Sequence, residues 1–315
     1  MALKKRLLYG NRVTPPCSSY PTCTGLKVRL SFLGSRCEIN QLIQDAKRTV
    51  PDLEISTTSP SLLQTSRGYI ESPPDVNRSL DLRDHVDWFL NKLPIETYRS
   101  LAISKRGITA ELECQWVSAN GMGGPTLWPE QMQELGERNW DVTFDFRFGG
   151  ELWWKRLPLA EEFPTVDEGE EKESRVNSNN CERTFAELRI YPETIDVSAV
   201  TQLLNVSPTT SMSRGELRPN GKEFRLSVWS ISSETYVKSF LLGEHLEWLL
   251  SKVKLTESQQ KELQQDVDLR LSVFCVWWSK NGIGGPRIAS SHMLSLATSG
   301  LEFTVDAQYF ESQEY

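Results

Sequence analysis

The chain has 315 residues, 38% of them hydrophobic with ten Trp and twelve Phe, and a formal net charge of −7. That is long for one small core, ample for two of ordinary size, and too apolar for a disordered chain. The negative balance argues against a polyanionic partner, because phosphate binding leans on clustered Lys and Arg that release counterions.

Residues 1–20, with Pro15 and Pro16, read as an extended N-terminal arm. Lys4, Lys5 and Arg6 resemble the basic start of a signal peptide, but only Leu7, Leu8 and Tyr9 follow before Gly10, too short a run for export. No stretch reaches the roughly 18 to 20 apolar residues of a membrane helix, so the expectation is a cytoplasmic protein without membrane association. The six cysteines, Cys17, Cys23, Cys37, Cys114, Cys181 and Cys275, lack the close spacing of zinc knuckles or redox motifs, which fits a reducing compartment.

Residues 21–150 read as a first α+β domain. Leu112, Cys114 and Trp116 alternate with Glu111, Glu113 and Gln115, and Val142, Phe144, Phe146 and Phe148 alternate with Asp141, Thr143, Asp145 and Arg147. Such alternation describes strands with one face under helices and the other wet. Residues 151–180 carry Glu161-Glu162, Asp167-Glu168 and Glu170-Glu171 and read as an acidic linker. Its first residues, Leu152, Trp153 and Trp154, are too apolar for free solvent and are expected to pack on one of the domains.

Residues 181–315 read as a second α+β domain. Strands are expected at Thr184 to Tyr191, Phe224 to Ser232, Leu269 to Trp278 and Leu301 to Tyr309. Helices are expected at Asp196 to Leu204, Leu241 to Val253 and Ala289 to Thr298, with a polar helix from Glu257 to Gln265. The order is β-α-β-α-β-α-β, a mostly antiparallel sheet with helices on one face, loosely ferredoxin-like. Phe274, Val276 and Trp278 are apolar on the side opposite Leu271, Val273, Cys275 and Trp277, so something must cover that side or it is a binding surface.

The two domains are a tandem repeat. Asn120-Gly121-Met122-Gly123-Gly124-Pro125 returns 161 positions later as Asn281-Gly282-Ile283-Gly284-Gly285-Pro286, and at the same offset Cys114, Trp116 and Asp145 meet Cys275, Trp277 and Asp306. At an offset of 160, His85-Val86-Asp87-Trp88 meets His245-Leu246-Glu247-Trp248. Ordered blocks at nearly constant spacing mean two copies of a whole domain.

The second copy resembles a family of uncharacterised, mostly bacterial domains catalogued as domain of unknown function 4279. The resemblance is carried by Arg214-Gly215-Glu216 ahead of a strand with Trp229, by Glu244-His245-Leu246-Glu247-Trp248-Leu249-Leu250, and by the Trp277 strand leading into Gly284-Gly285-Pro286. The first copy keeps His85 to Leu90, Trp116 and Gly123-Gly124-Pro125, but its Arg67-Gly68 runs into Tyr69 without the long hairpin loop or the Trp. The resemblance implies a fold and no established reaction.

Candidate chemistry is sparse. The glycine-rich segment, with Gly284 and Gly285, is either a structural strand-to-helix turn or an anion cradle, and it lacks the Lys-Ser/Thr ending of a P-loop. His245, three positions before Trp248, is either a satisfied core histidine or part of a pocket. Glu111, Glu113, Asp145 and Asp306 are solvated charges or an acid/base set. Arg214, Arg218, Lys222 and Arg225, with Glu216 among them, concentrate positive charge where an acidic ligand or partner could dock.

No catalytic set, metal site or cofactor is expected. The leading expectation is a non-catalytic intracellular interaction module, immunity-like or regulatory, that binds another protein. The alternative is a small-ligand binder or enzyme with a pocket near His245, Trp248 and the Arg214 loop. Carboxylates on the exposed sheet faces argue against nucleic acid. If one half carries the function, residues 181–310 are the choice.

Overall fold

The structure is a computed structural model that describes residues 23–51, 53–57, 65–118, 121–148, 180–192, 195–217, 221–256, 258–259 and 270–309. The expected arm, all of the linker except Asn180, and most of the polar helix from Glu257 to Gln265 lie outside the described residues, as does Arg218.

The first unit runs β1 (Cys23–Ser35), α1 (Arg36–Thr49), β2 (Ser56–Thr57), β3 (Thr65–Glu71), α2 (Leu82–Lys92), α3 (Ile95–Ser100), β4 (Thr109–Ser118), β5 (Met122–Gly123), β6 (Thr126–Leu127), α4 (Pro129–Glu137) and β7 (Trp140–Phe148). The second runs β8 (Cys181–Tyr191), α5 (Val197–Leu204), β9 (Thr210–Met212), β10 (Val228–Ser232), α6 (Leu242–Lys252), β11 (Arg270–Ser279), β12 (Ile283–Gly284), β13 (Arg287–Ile288), α7 (Ser290–Thr298) and β14 (Glu302–Tyr309). Both follow the β-α-β-α-β-α-β order expected from the sequence, with the extra short strands inserted. The helix starts have local causes: Ser35 and Glu38 form a capping box for α1, and the Asp81 and Asp196 carboxylates accept the Arg83 and Ser198 N–H groups at the starts of α2 and α5.

Each unit builds a seven-stranded mixed sheet, and neither sheet belongs to one unit alone. The first has the order β12-β7-β4-β1-β3-β2, with β13 also on β7; the second has β5-β14-β11-β8-β10-β9, with β6 also on β14. The outer strands β12 and β13 of the second unit thus close the edge of the first sheet, while β5 and β6 of the first unit close the edge of the second. The glycine-rich segments make this exchange. Phe144 and Phe148 N–H donate to the Pro286 and Gly282 carbonyls at 3.0 and 2.8 Å, and Val305 and Tyr309 N–H donate to those of Pro125 and Gly121 at 3.0 and 2.8 Å.

The glycines of these segments are required by the approach of the two backbones. Gly123 and Gly284 have φ of 105° and 95°, open to glycine and strained for other residues. A Cβ on Gly124 would stand 2.3 Å from the Val305 carbonyl oxygen, and one on Gly285 would stand 2.3 Å from that of Phe144. No side chain fits there.

The cores merge behind this seam. Phe144 stacks on Phe303 at 6.5 Å, Phe146 on Trp277 at 6.2 Å and Phe148 on Tyr309 at 6.2 Å, and one buried apolar cluster runs from Leu26 to Ala307 through both units. Helices α4 and α7 meet across the seam, where a Cβ on Gly136 would stand 2.4 Å from Leu294 Cγ.

Candidate functional site

The sequence-derived candidates separate into four places. Gly284 and Gly285 form the seam just described, so their backbone groups serve strand exchange. Trp229 is fully buried in β10, and its indole N–H donates to Thr201 Oγ1 at 2.9 Å.

His245 points into the core at 1% exposure. Its Nε2–H donates to the Ser239 carbonyl at 3.0 Å, and Nδ1 lies 2.8 Å from Ser233 Oγ, a hydroxyl that also meets the Ala186 backbone. His85 repeats this in the first unit, with Ser79 O at 3.1 Å and Ser72 Oγ at 2.9 Å. Burial holds both imidazoles below their ordinary pKa, opposed by the backbone carbonyl each one faces. With both ring nitrogens engaged and no exposure, each histidine ties the loop before its helix to the first strand of its unit. Trp248 is half-buried beneath Tyr236, with ring centroids 4.7 Å apart.

Arg214, Glu216, Lys222 and Arg225 do share one place, an exposed ribbon between β9 and β10. Gly215 N–H donates to Phe224 O and Phe224 N–H to Glu216 O, each at 2.9 Å, and Leu217 bridges Glu223. The five residues of β10, about 17 Å of strand, separate this ribbon from Ser233 and the His245 environment, so His245 and the Arg214 ribbon sit at opposite ends of that strand.

The outward faces of the sheets answer a further expectation. In the first, the wet side is a ladder of ions: Glu113 is gripped by Arg29 at 2.6 Å and by Arg67, Lys27 meets Glu71 at 2.9 Å, and Arg287 of the second unit reaches Asp141. Glu111 has the Thr143 hydroxyl as donor and is held above the usual carboxylate range, chiefly by burial. Asp145 pairs with Arg147 at 2.8 Å, whereas Asp306 has Gln308 as its neighbour at 3.3 Å. Among the described residues no group of three or more His, Cys, Asp and Glu is arranged to hold a metal, and no helix is long and apolar enough to cross a membrane.

In the second sheet, Phe185 and Val276 are buried, while the Arg189 guanidinium lies 4.3 Å from the Phe274 ring centre and that of Arg183 lies 4.6 Å from Trp278. Arginine faces therefore cover the apolar side that the sequence left open. Arg183 and Arg189 were not singled out in the sequence, although their alternation with Phe185 and Glu187 along β8 was the available signal. The exposed Leu217, Leu226, Tyr236, Phe240 and Leu241 also escaped notice, because single apolar residues in loops carry no periodicity.

Residues 181–310 match the model of the family described as a domain of unknown function, DUF4279. The resemblance read from Arg214, Trp229, His245 and the Gly284-Gly285-Pro286 segment therefore holds for the second unit. No curated protein and no solved structure matches the chain.

Proposed function

We propose that the chain is a non-catalytic interaction module of the cytoplasm, immunity-like or regulatory, which binds another protein through its second unit. The first unit is read as a diverged relative of the same family that completes the second unit's sheet. The observation that carries this is where large apolar side chains meet solvent. Among the described residues, on the second unit they are Leu217, Leu226, Tyr236, Phe240 and Leu241, at 67, 55, 62, 48 and 38% exposure, and on the first Leu80 and Met122. Apolar side chains left in water mainly on one of two units, here beyond both ends of β10, mark that unit as the one a partner covers.

Affinity purification of the full chain from its native cells, under several growth conditions, tests this reading. The expected result is one stoichiometric protein partner, lost when Tyr236 and Phe240 or Leu217 and Leu226 are changed to Ser in a chain that still melts normally. Absence of a stoichiometric partner under every condition would overturn it.

A further inference from the structure

The ribbon between β9 and β10 stands in open space. A Cβ placed on Gly215 or on Gly221 would meet nothing within 4 Å. Its own backbone bonds hold it, together with Arg214 N–H donating to Ser227 Oγ at 3.1 Å and Ser213 N–H donating to the Glu216 carboxylate at 3.0 Å. The first unit joins β2 to β3 through seven residues, 58–64, where the second joins β9 to β10 through fifteen, 213–227. A two-stranded ribbon is by itself marginally stable, and this one also shows Leu217 and Leu226 to water, at 67 and 55% exposure.

Charge indicates what would cover it. In a chain of net charge −7, Arg214, Lys222 and Arg225 are exposed on this one ribbon. Of its carboxylates, Glu216 is turned back onto the Ser213 backbone, which leaves Glu223 as the other. Apolar and charged side chains thus share a short length, with the cations Arg214, Arg218, Lys222 and Arg225 outnumbering the carboxylates Glu216 and Glu223. We infer that the ribbon receives an acidic segment of the partner protein that carries aliphatic side chains, its carboxylates meeting Arg214 and Arg225 and its aliphatic groups covering Leu217 and Leu226. This rests on the protein-binding reading above and names the chemistry of the partner.

The test uses the full chain and three short fluorescein-labelled peptides, composed of Glu and Leu, of Gln and Leu, and of Glu and Gln. By fluorescence anisotropy the Glu-Leu peptide binds at least about tenfold more tightly than either other peptide, and its affinity falls as salt rises. Both R214E/R225E and L217S/L226S abolish that binding while leaving Tm unchanged, as expected for residues outside the core. Equal binding of the Glu-Leu and Glu-Gln peptides, undiminished binding by either variant, or no binding overturns the inference. Concentration-dependent self-association abolished by L217S/L226S, without peptide binding, would assign the ribbon to a second copy of this chain and equally overturn it. Failure here is separable from failure of the broader reading. A native partner retained by R214E/R225E at full stoichiometry removes the ribbon and keeps protein binding, whereas absence of any partner with the unaltered chain removes protein binding itself.

Discussion

The two units agree where they touch each other and differ where they face water. At the seam, Gly121 to Pro125 and Gly282 to Pro286 make the same bonds at distances within 0.1 Å of each other. On the outward faces, Arg29, Glu113 and Arg67 form a half-buried ion cluster in the first sheet, while Phe274, Val276 and Trp278 lie under arginines in the second. The seam imposes one geometry on both units, since a backbone approach that excludes Cβ leaves glycine alone. An outward face imposes only that charges be paired and apolar groups covered, which two chemistries satisfy.

The largest effect should come from breaking the part that is shared. Changing Gly124 or Gly285 to Ala sets a Cβ against a backbone oxygen, which cannot move without opening the edge pairing. Each is expected to cost at least about 3 kcal/mol, at the upper end of overpacking effects. The two should match, because the exchange is reciprocal, and urea denaturation of the two variants measures both. A small loss for one and a large loss for the other would show that one unit holds its sheet edge without the partner strand.

Breaking the ion cluster comes next. Glu113→Gln removes the carboxylate charge that pairs with both Arg29 and Arg67, and Arg29 is 5% exposed. A loss of about 2 to 3 kcal/mol is expected, below the full cost of breaking a buried pair because Arg67 still reaches water. Phe274→Leu in the second sheet, which takes the ring from Arg189 but leaves that guanidinium its Glu187 partner, should cost under about 1.5 kcal/mol. Comparable losses in chemical denaturation would mean that the two faces are not different in kind.

The paired histidines offer a finer comparison. Ser72→Ala and Ser233→Ala each leave a buried imidazole nitrogen short of a partner and should cost about 1 to 2 kcal/mol. Both imidazoles have a folded pKa below the ordinary 6.5. The stability they contribute is therefore complete above pH 6.5 and is lost as pH falls from there through the folded value. Thermal melting of the unaltered chain between pH 7.5 and about 5 should show this decline.

The elements of the second unit, and β4 and β7 of the first, were legible in the sequence because alternation along β4, β7 and β11 and the helical spacing of α6 are set by local burial. The recurrence of Asn-Gly-x-Gly-Gly-Pro was legible too, since the string stands twice in the sequence. What the string is for was not legible. Read locally, it is a turn between strand and helix, and the pressure that demands glycine comes from the Val305 and Phe144 carbonyls, 181 and 141 residues away in sequence. His245 was legible as a satisfied core histidine, one of the two readings open to it, but its partners and that of Trp229 were not, because Ser233, Ser239 and Thr201 offer ordinary hydroxyl and backbone groups. Arg214, Glu216, Lys222 and Arg225 are near neighbours in the sequence, so their place on one ribbon needed no distant information.

The smallest effect expected is also the one that separates the two outward faces by sign. Glu111 lies on the row that pairs Ser31 with Asp141, and the position 161 residues later is Ser272, which donates to Glu302 at 3.3 Å. Burial raises the Glu111 pKa, with the nearby Glu113 charge adding to it. The folded state therefore holds this proton more tightly than the unfolded one, so the stability it contributes is complete below the ordinary 4.5 and is lost as pH rises through the folded value. Glu111→Gln keeps an oxygen for the Thr143 hydroxyl and removes the ionisation. At pH 7 it should stabilise the chain by up to about 1 kcal/mol, and at pH 4 it should do nothing. Ser272→Glu, which creates a second carboxylate beside Glu302 while Arg189 across the strand pair is already held by Glu187, should destabilise at pH 7 and recover toward pH 4. Two-point melting at these pH values decides it: a destabilising Glu111→Gln at pH 7 would mean that the charge of Glu111 is used in the folded protein, which its hydrogen bond to Thr143 alone does not require.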